Sequence, residues 1–120
     1  MQYEQIKNIL CAIDDPVEKL EMVMDIGRDM PDIPENAMCT EILGCASRVE
    51  ICRLGNRFFG RADSGLVRGI VAIITAMVDG KNSDQIREMD LWGEFSNLNI
   101  AIGAGRVNGV NSMIRFLQNL

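Results

Sequence analysis

The 120-residue chain has no histidine. This removes the usual general base, the usual proton shuttle and the commonest metal ligand together, so most hydrolase schemes cannot be written for it. Positive charge is also scarce. Twelve Lys plus Arg stand against seventeen Asp plus Glu, a net charge of −5, the wrong sign for a chain whose affinity would come from neutralising phosphates, and no nucleic-acid partner is expected. The longest mainly apolar run, Gly69 to Val78, is far below the roughly 20 residues of a bilayer span, so no membrane partner is expected. The opening Met1-Gln2-Tyr3-Glu4 has no basic start leading into an apolar stretch and no small-residue cleavage site, which points to a cytoplasmic location. Cysteine is limited to Cys11, Cys39, Cys45 and Cys52, with no C-x-x-C pair and no His to complete a zinc site, so no bound metal is expected. A reducing cytosol also argues against structural disulfides.

What is present suffices for a core. With 48% apolar and 24% charged residues, the chain has the composition of a globular protein, and its length corresponds to a single domain over residues 1–120. From Tyr3 to Ile13 the apolar residues Tyr3, Ile6, Ile9, Leu10 and Ile13 repeat every three or four positions, the pattern of an amphipathic helix. Asp15-Pro16-Val17-Glu18 reads as the start of a second helix, with Asp as cap and Pro in the first turn where no donor is needed. Met30-Pro31 marks its exit, and Pro31 to Asn36 is a loop.

After Gly44 the period changes to two. Val49 and Ile51 fall on one face and mainly polar groups on the other, the pattern of a half-buried strand. Gly55-Asn56 can close a hairpin to a second strand around Arg57 to Arg61. Asp63 or Ser64 caps a long helix through Val78 that has little polar surface. Gly80 stops it, Ser83 caps a short helix to about Met89, and the tail from Val107 is again an amphipathic helix. Trp92 to Leu98 fits neither period. Two strands cannot bury themselves, so the sequence predicts a small α+β domain, an antiparallel sheet of two or three strands with helices packed on one face.

Cys11, between Leu10 and Ile13, and Cys52, between Ile51 and Arg53, read as packing residues, since free Cys is commonly buried. Cys39 is flanked by Glu35 and Glu41, whose charge opposes thiolate formation. Cys45 follows Gly44, whose backbone freedom can lift a thiol to a loop tip, and precedes Ser47 and the cation Arg48. Spacing alone leaves Cys45 equally open to two readings, a half-buried strand opener and a reactive thiol.

Five blocks decide between them: Met30-Pro31; Ile42-Leu43-Gly44-Cys45-Ala46-Ser47-Arg48-Val49; Asp63-Ser64-Gly65-Leu66-Val67-Arg68-Gly69-Ile70-Val71-Ala72; Arg106-Val107-Asn108-Gly109; and Met113-Ile114. In order and approximate spacing they resemble the SufE family of sulfur acceptors over most of the chain. The chain departs from the family's pattern at Glu50, where Trp is usual. The resemblance implies a protein that takes persulfide sulfur from a pyridoxal-phosphate cysteine desulfurase of the SufS type onto Cys45, stimulates that enzyme, and passes the sulfur to an iron–sulfur cluster assembly scaffold, with no cofactor of its own. It also implies a fold similar to the IscU-type scaffolds, a three-stranded antiparallel sheet with helices on one side. Asp63 and Arg106 occupy the positions of the family's acid at the start of the core helix and arginine opening the last helix. A helix cap and a surface residue are their plain structural readings.

The chemistry sets the demands on Cys45. A free thiol with a pKa of about 8.5 is only ~3% ionised at pH 7, and lowering it to about 7 raises that roughly sixteenfold, while the accompanying fall in nucleophilicity leaves a net gain of about threefold. Arg48 therefore cannot be the main device, and positioning inside a complex must contribute more. A carrier must also shield its persulfide, which predicts a loop from Pro31 to Gly44 that tucks Cys45 against apolar surface, with Ile42 and Leu43 shielding the thiol, docking the partner or simply anchoring the loop. Two further readings come from other classes. One is a thiol switch in which Cys39 and Cys45 form a reversible disulfide, and the other is an interaction module without chemistry.

Overall fold

The computed structural model describes residues 1–120. Helices α1 (Tyr3–Cys11) and α2 (Pro16–Arg28) come first, followed by strands β1 (Met38–Glu41), β2 (Val49–Leu54) and β3 (Arg57–Ala62). Four helices complete the chain: α3 (Gly65–Val78), α4 (Ser83–Arg87), α5 (Leu91–Ser96) and α6 (Ala104–Gln118). The sheet is antiparallel throughout, in the order β1-β2-β3. This is the predicted α+β architecture, with the optional third strand present.

Helix α3 forms at the centre because Ser64 caps it, its Oγ accepting from the Val67 N–H at 3.4 Å, and because nearly its whole circumference is apolar. Ile70, Ile73, Ile74 and Met77 are fully buried, each worth about 1.5–3 kcal/mol of transfer free energy. Two close approaches seat α3 against its neighbours. A Cβ on Gly60 of β3 would lie 2.1 Å from Val71, and one on Gly69 would lie 2.1 Å from the Val23 carbonyl of α2, so glycine lets both the sheet and α2 reach the core helix. Ile6 and Leu10 bury one stripe of α1, and Val110, Met113, Ile114 and Leu117 bury one stripe of α6. Lys19 of α2 is buried and donates to the Leu98 carbonyl at 2.9 Å, tying α2 to the end of α5.

Helix α3 covers one face of the sheet. Gly60 rests on α3, and the pairs Val49–Ala62 and Ile51–Gly60 place Val49 and Ile51 on that side. Because side chains alternate, Cys52, paired with Phe59, and Glu50, paired with Arg61, point to the other face. Cys39 pairs with Cys52 across β1 and β2, and the two form a disulfide with Cα atoms 3.9 Å apart.

Several expectations are corrected. The cysteines do include a disulfide. Strand register brings Cys39 and Cys52 face to face, an adjacency invisible in their separation of 13 residues. Cys11 is exposed rather than packed, since it follows Leu10 by one residue and so falls outside the buried Ile6–Leu10 stripe. The expected loop from Pro31 to Gly44 is interrupted by β1, and Ser64, not Asp63, caps α3. Of the segment Trp92 to Leu98, which fits neither period, the part up to Ser96 belongs to helix α5, capped by Asp90, whose side chain accepts from the Gly93 N–H.

Candidate functional site

Between β1 and β2 the chain makes a short loop, residues 42–48, with Cys45 at its centre. Its base is closed by the Ile42 N–H donating to the Val49 carbonyl at 2.8 Å, and Ile42 itself is buried in the core at 6% exposure. The neighbouring Leu43 is 79% exposed. The apolar pair before the thiol thus splits, Ile42 anchoring the loop and Leu43 pointing to solvent. Gly44 adopts φ +93°, a left-handed backbone that a side chain would strain, and this turns the chain so that Cys45 faces helix α6.

The loop meets α6 at two points one turn apart. A Cβ on Gly44 would lie 2.6 Å from the Ser112 hydroxyl oxygen, and a Cβ on Gly109 would lie 3.2 Å from the Cys45 sulfur. The Cys45 thiol donates to the Gly109 carbonyl at 3.7 Å. Cys45 is half-buried and packs against the edge of the core, as does Val107. Burial pushes its pKa above the ordinary thiol value, because a partly desolvated thiolate loses hydration that no nearby cation replaces.

Arg48 does not supply that cation. Its guanidinium lies 3.9 Å from Glu41 and 3.8 Å from Glu50, and Glu50 is also held by Arg61 at 2.8 Å. Ser47 is half-buried on the same loop. Asp63 is exposed and directly follows Ala62, the partner of Val49, so it lies at the loop's end of the sheet. Arg106 lies on α6 one turn before Gly109 and donates to the Ile102 carbonyl at 3.1 Å. The structure therefore brings Gly44 and Cys45 together with α6. Ile42 serves as anchor, and Asp63 and Arg106 stand at the periphery, each engaged locally or with solvent.

Gly109 and Ser112 had no assigned part in the sequence reading. Gly109 closes the Arg106-Val107-Asn108-Gly109 block of the family resemblance, and it is also a glycine inside an amphipathic helix, a position where Ala is favoured by about 1 kcal/mol unless something requires the space. No group of three or more His, Cys, Asp or Glu side chains is placed to hold a metal ion. A groove of about 640 Å3 lies elsewhere: Met1, Tyr3, Met30, Arg57, Phe59 and Asp79 are among its lining residues, and Cys45 is not. It contains no nucleophilic thiol. A group passed between two proteins needs an exposed approach rather than an enclosed cavity, so the loop is the stronger candidate.

Comparison with known proteins identifies the family of the chain. The family described as SufE: Fe-S metabolism associated domain matches residues 4–120, and the chain belongs to that family. Among its relatives, an uncharacterized SufE-like protein of Rhizobium meliloti is 28% identical over 97% of this chain and 91% of its own length. The sulfur acceptor protein CsdE of Escherichia coli is 25% identical over 92% of this chain and 81% of its own. The solution structure of a hypothetical protein from Thermus thermophilus superposes with a TM-score of 0.78, covering 98% of this chain and 90% of that one at 11% identity, which shows a shared fold. No helix is long and apolar enough to cross a membrane.

Proposed function

We propose that this protein is a single-domain sulfur acceptor whose Cys45 receives sulfur from the persulfide of a pyridoxal-phosphate cysteine desulfurase of the SufS type. In the step, the Cys45 thiolate attacks the outer sulfur of the donor's persulfide. A new sulfur–sulfur bond forms on Cys45, the donor's own sulfur–sulfur bond breaks, and the donor cysteine leaves as a thiolate, so no external oxidant or reductant is needed. The loaded protein then passes the sulfur to an iron–sulfur cluster assembly scaffold in the cytoplasm. It has no turnover of its own.

The observation that carries this reading is the placement of Cys45: a free thiol at the centre of a short loop, hinged at Gly44 and half-buried on α6. Half-burial shields a persulfide from other thiols, and the raised pKa keeps the resting sulfur protonated. Neither property speeds attack, so the acceleration must come from the donor protein aligning the two sulfurs, an effect worth several kcal/mol. The switch based on a Cys39–Cys45 disulfide has lost its partner, since Cys39 is bonded to Cys52.

The test is to mix the protein with a cysteine desulfurase of its own organism and L-cysteine. Sulfide release is expected to rise on addition of the protein, and its intact mass to gain one sulfur, lost in Cys45→Ser. A mass gain that persists in Cys45→Ser, or no stimulation by the unaltered chain, overturns the proposal.

A further inference from the structure

Gly109 lies in the interior of α6, and its backbone gives no reason for glycine. The glycines with positive φ are Gly44, Gly55, Gly80 and Gly103, so Gly109 is not among them. In a helix interior glycine costs about 1 kcal/mol relative to Ala. The requirement must come from what approaches it, and all three of the nearest atoms belong to Cys45: Sγ at 3.2 Å, Cα at 3.5 Å and Cβ at 3.6 Å from the position of an added Cβ. Only the sulfur is too close, since 3.5 and 3.6 Å are ordinary van der Waals separations. The same residue offers its carbonyl to the thiol at 3.7 Å.

We propose that Gly109 is a positioning residue for the sulfur transfer: its missing side chain is the seat that holds the Cys45 sulfur against α6, and the size of residue 109 sets how often the loop lifts that sulfur into reach of a donor. This deepens, and rests on, the reading of Cys45 as the sulfur acceptor. A methyl group at 109 displaces the sulfur and weakens its bond to the carbonyl. The helix is unharmed, because Ala is the better helix former. The loop shifts toward its lifted state, in which the thiol is easier to reach and a persulfide is less protected.

The test compares four full-length proteins: the unaltered chain, Gly109→Ala, Cys45→Ala and the double variant. Iodoacetamide alkylation, mapped by peptide mass, is expected to modify Cys45 roughly three- to tenfold faster in Gly109→Ala. The exposed Cys11 serves as the internal reference, and its rate is expected to be unchanged. The dependence of the Tm change on residue 45 supplies the readout that a merely structural glycine would not move. Gly109→Ala is expected to lower Tm with cysteine at 45 and to raise it with alanine at 45, where the close sulfur is gone. Failure to fold only when cysteine is at 45 supports the seat as well. Equal changes in Tm in both backgrounds, unaltered Cys45 alkylation, or failure to fold in both backgrounds overturns it. These readouts need no donor enzyme, so a chain that takes no sulfur from a desulfurase yet shows the coupling would refute the acceptor role and leave the seat standing.

Discussion

Cys39 and Cys52 are joined across β1 and β2 on the sheet face turned away from α3, while Cys45, on the same hairpin, turns its sulfur toward Gly109 on the helical side. The bonded pair thus sits within the strands and the free thiol in the loop beyond their end. One pair braces the hairpin from which the loop springs, and the other thiol stays available.

The brace predicts a stability cost without a loss of function. A link closing a loop of this size, with 13 residues of separation, restricts the unfolded chain by about 3 kcal/mol in the chain-entropy treatment. Cys39→Ser, at the exposed end of the bridge, is expected to lower the urea midpoint accordingly, while Cys45 still gains one sulfur in the desulfurase assay. Loss of the gain in that variant would assign Cys39 a chemical part.

The burial of Cys45 predicts the pH dependence. Its alkylation rate should rise with pH to a midpoint above the ordinary value of about 8.5, since desolvation disfavours the thiolate. The folded-state pKa is raised, so the thiol's contribution to stability is fully present below the unfolded value and is lost as pH rises through the folded one. Arg48→Ala is expected to change sulfur transfer by less than about threefold, because Arg48 faces Glu41 and Glu50. A much larger loss would show that Arg48 turns to the sulfur or to the donor on docking.

The core predicts where substitution is least tolerated. A Cβ on Gly69 would lie 2.1 Å from the Val23 carbonyl and one on Gly27 would lie 2.6 Å from the Gly69 nitrogen, so α2 and α3 touch backbone to backbone. Backbone cannot yield as a side chain does. Gly69→Ala is expected to cost about 3 kcal/mol or more, measured by denaturant unfolding.

The sequence made the helices legible where one stripe was apolar, as in α1 and α6, or nearly the whole circumference was, as in α3, and made β2 and β3 legible through the alternation at Val49 and Ile51 and the Gly55-Asn56 turn. β1 was hidden because all four of its residues are exposed at the sheet edge, so no alternation marks it. The disulfide was hidden for the same reason, since only the register of β1 on β2 brings Cys39 opposite Cys52. At the site, Gly44-Cys45 stood out through the family motif and the hinge glycine. Gly109 carried no assigned part, because its meaning lies in a sulfur 64 residues away. Arg48 looked like an activating cation beside the thiol in sequence, but its place next to β2 directs it to acids on neighbouring strands.

The hairpin also decides how the protein behaves in air. Its cysteine sulfurs are already divided between a closed pair and a half-buried single one. The thiol left open to other molecules is Cys11, at the end of α1. Slow covalent dimerisation on storage is expected to run through that residue and to be lost in Cys11→Ser.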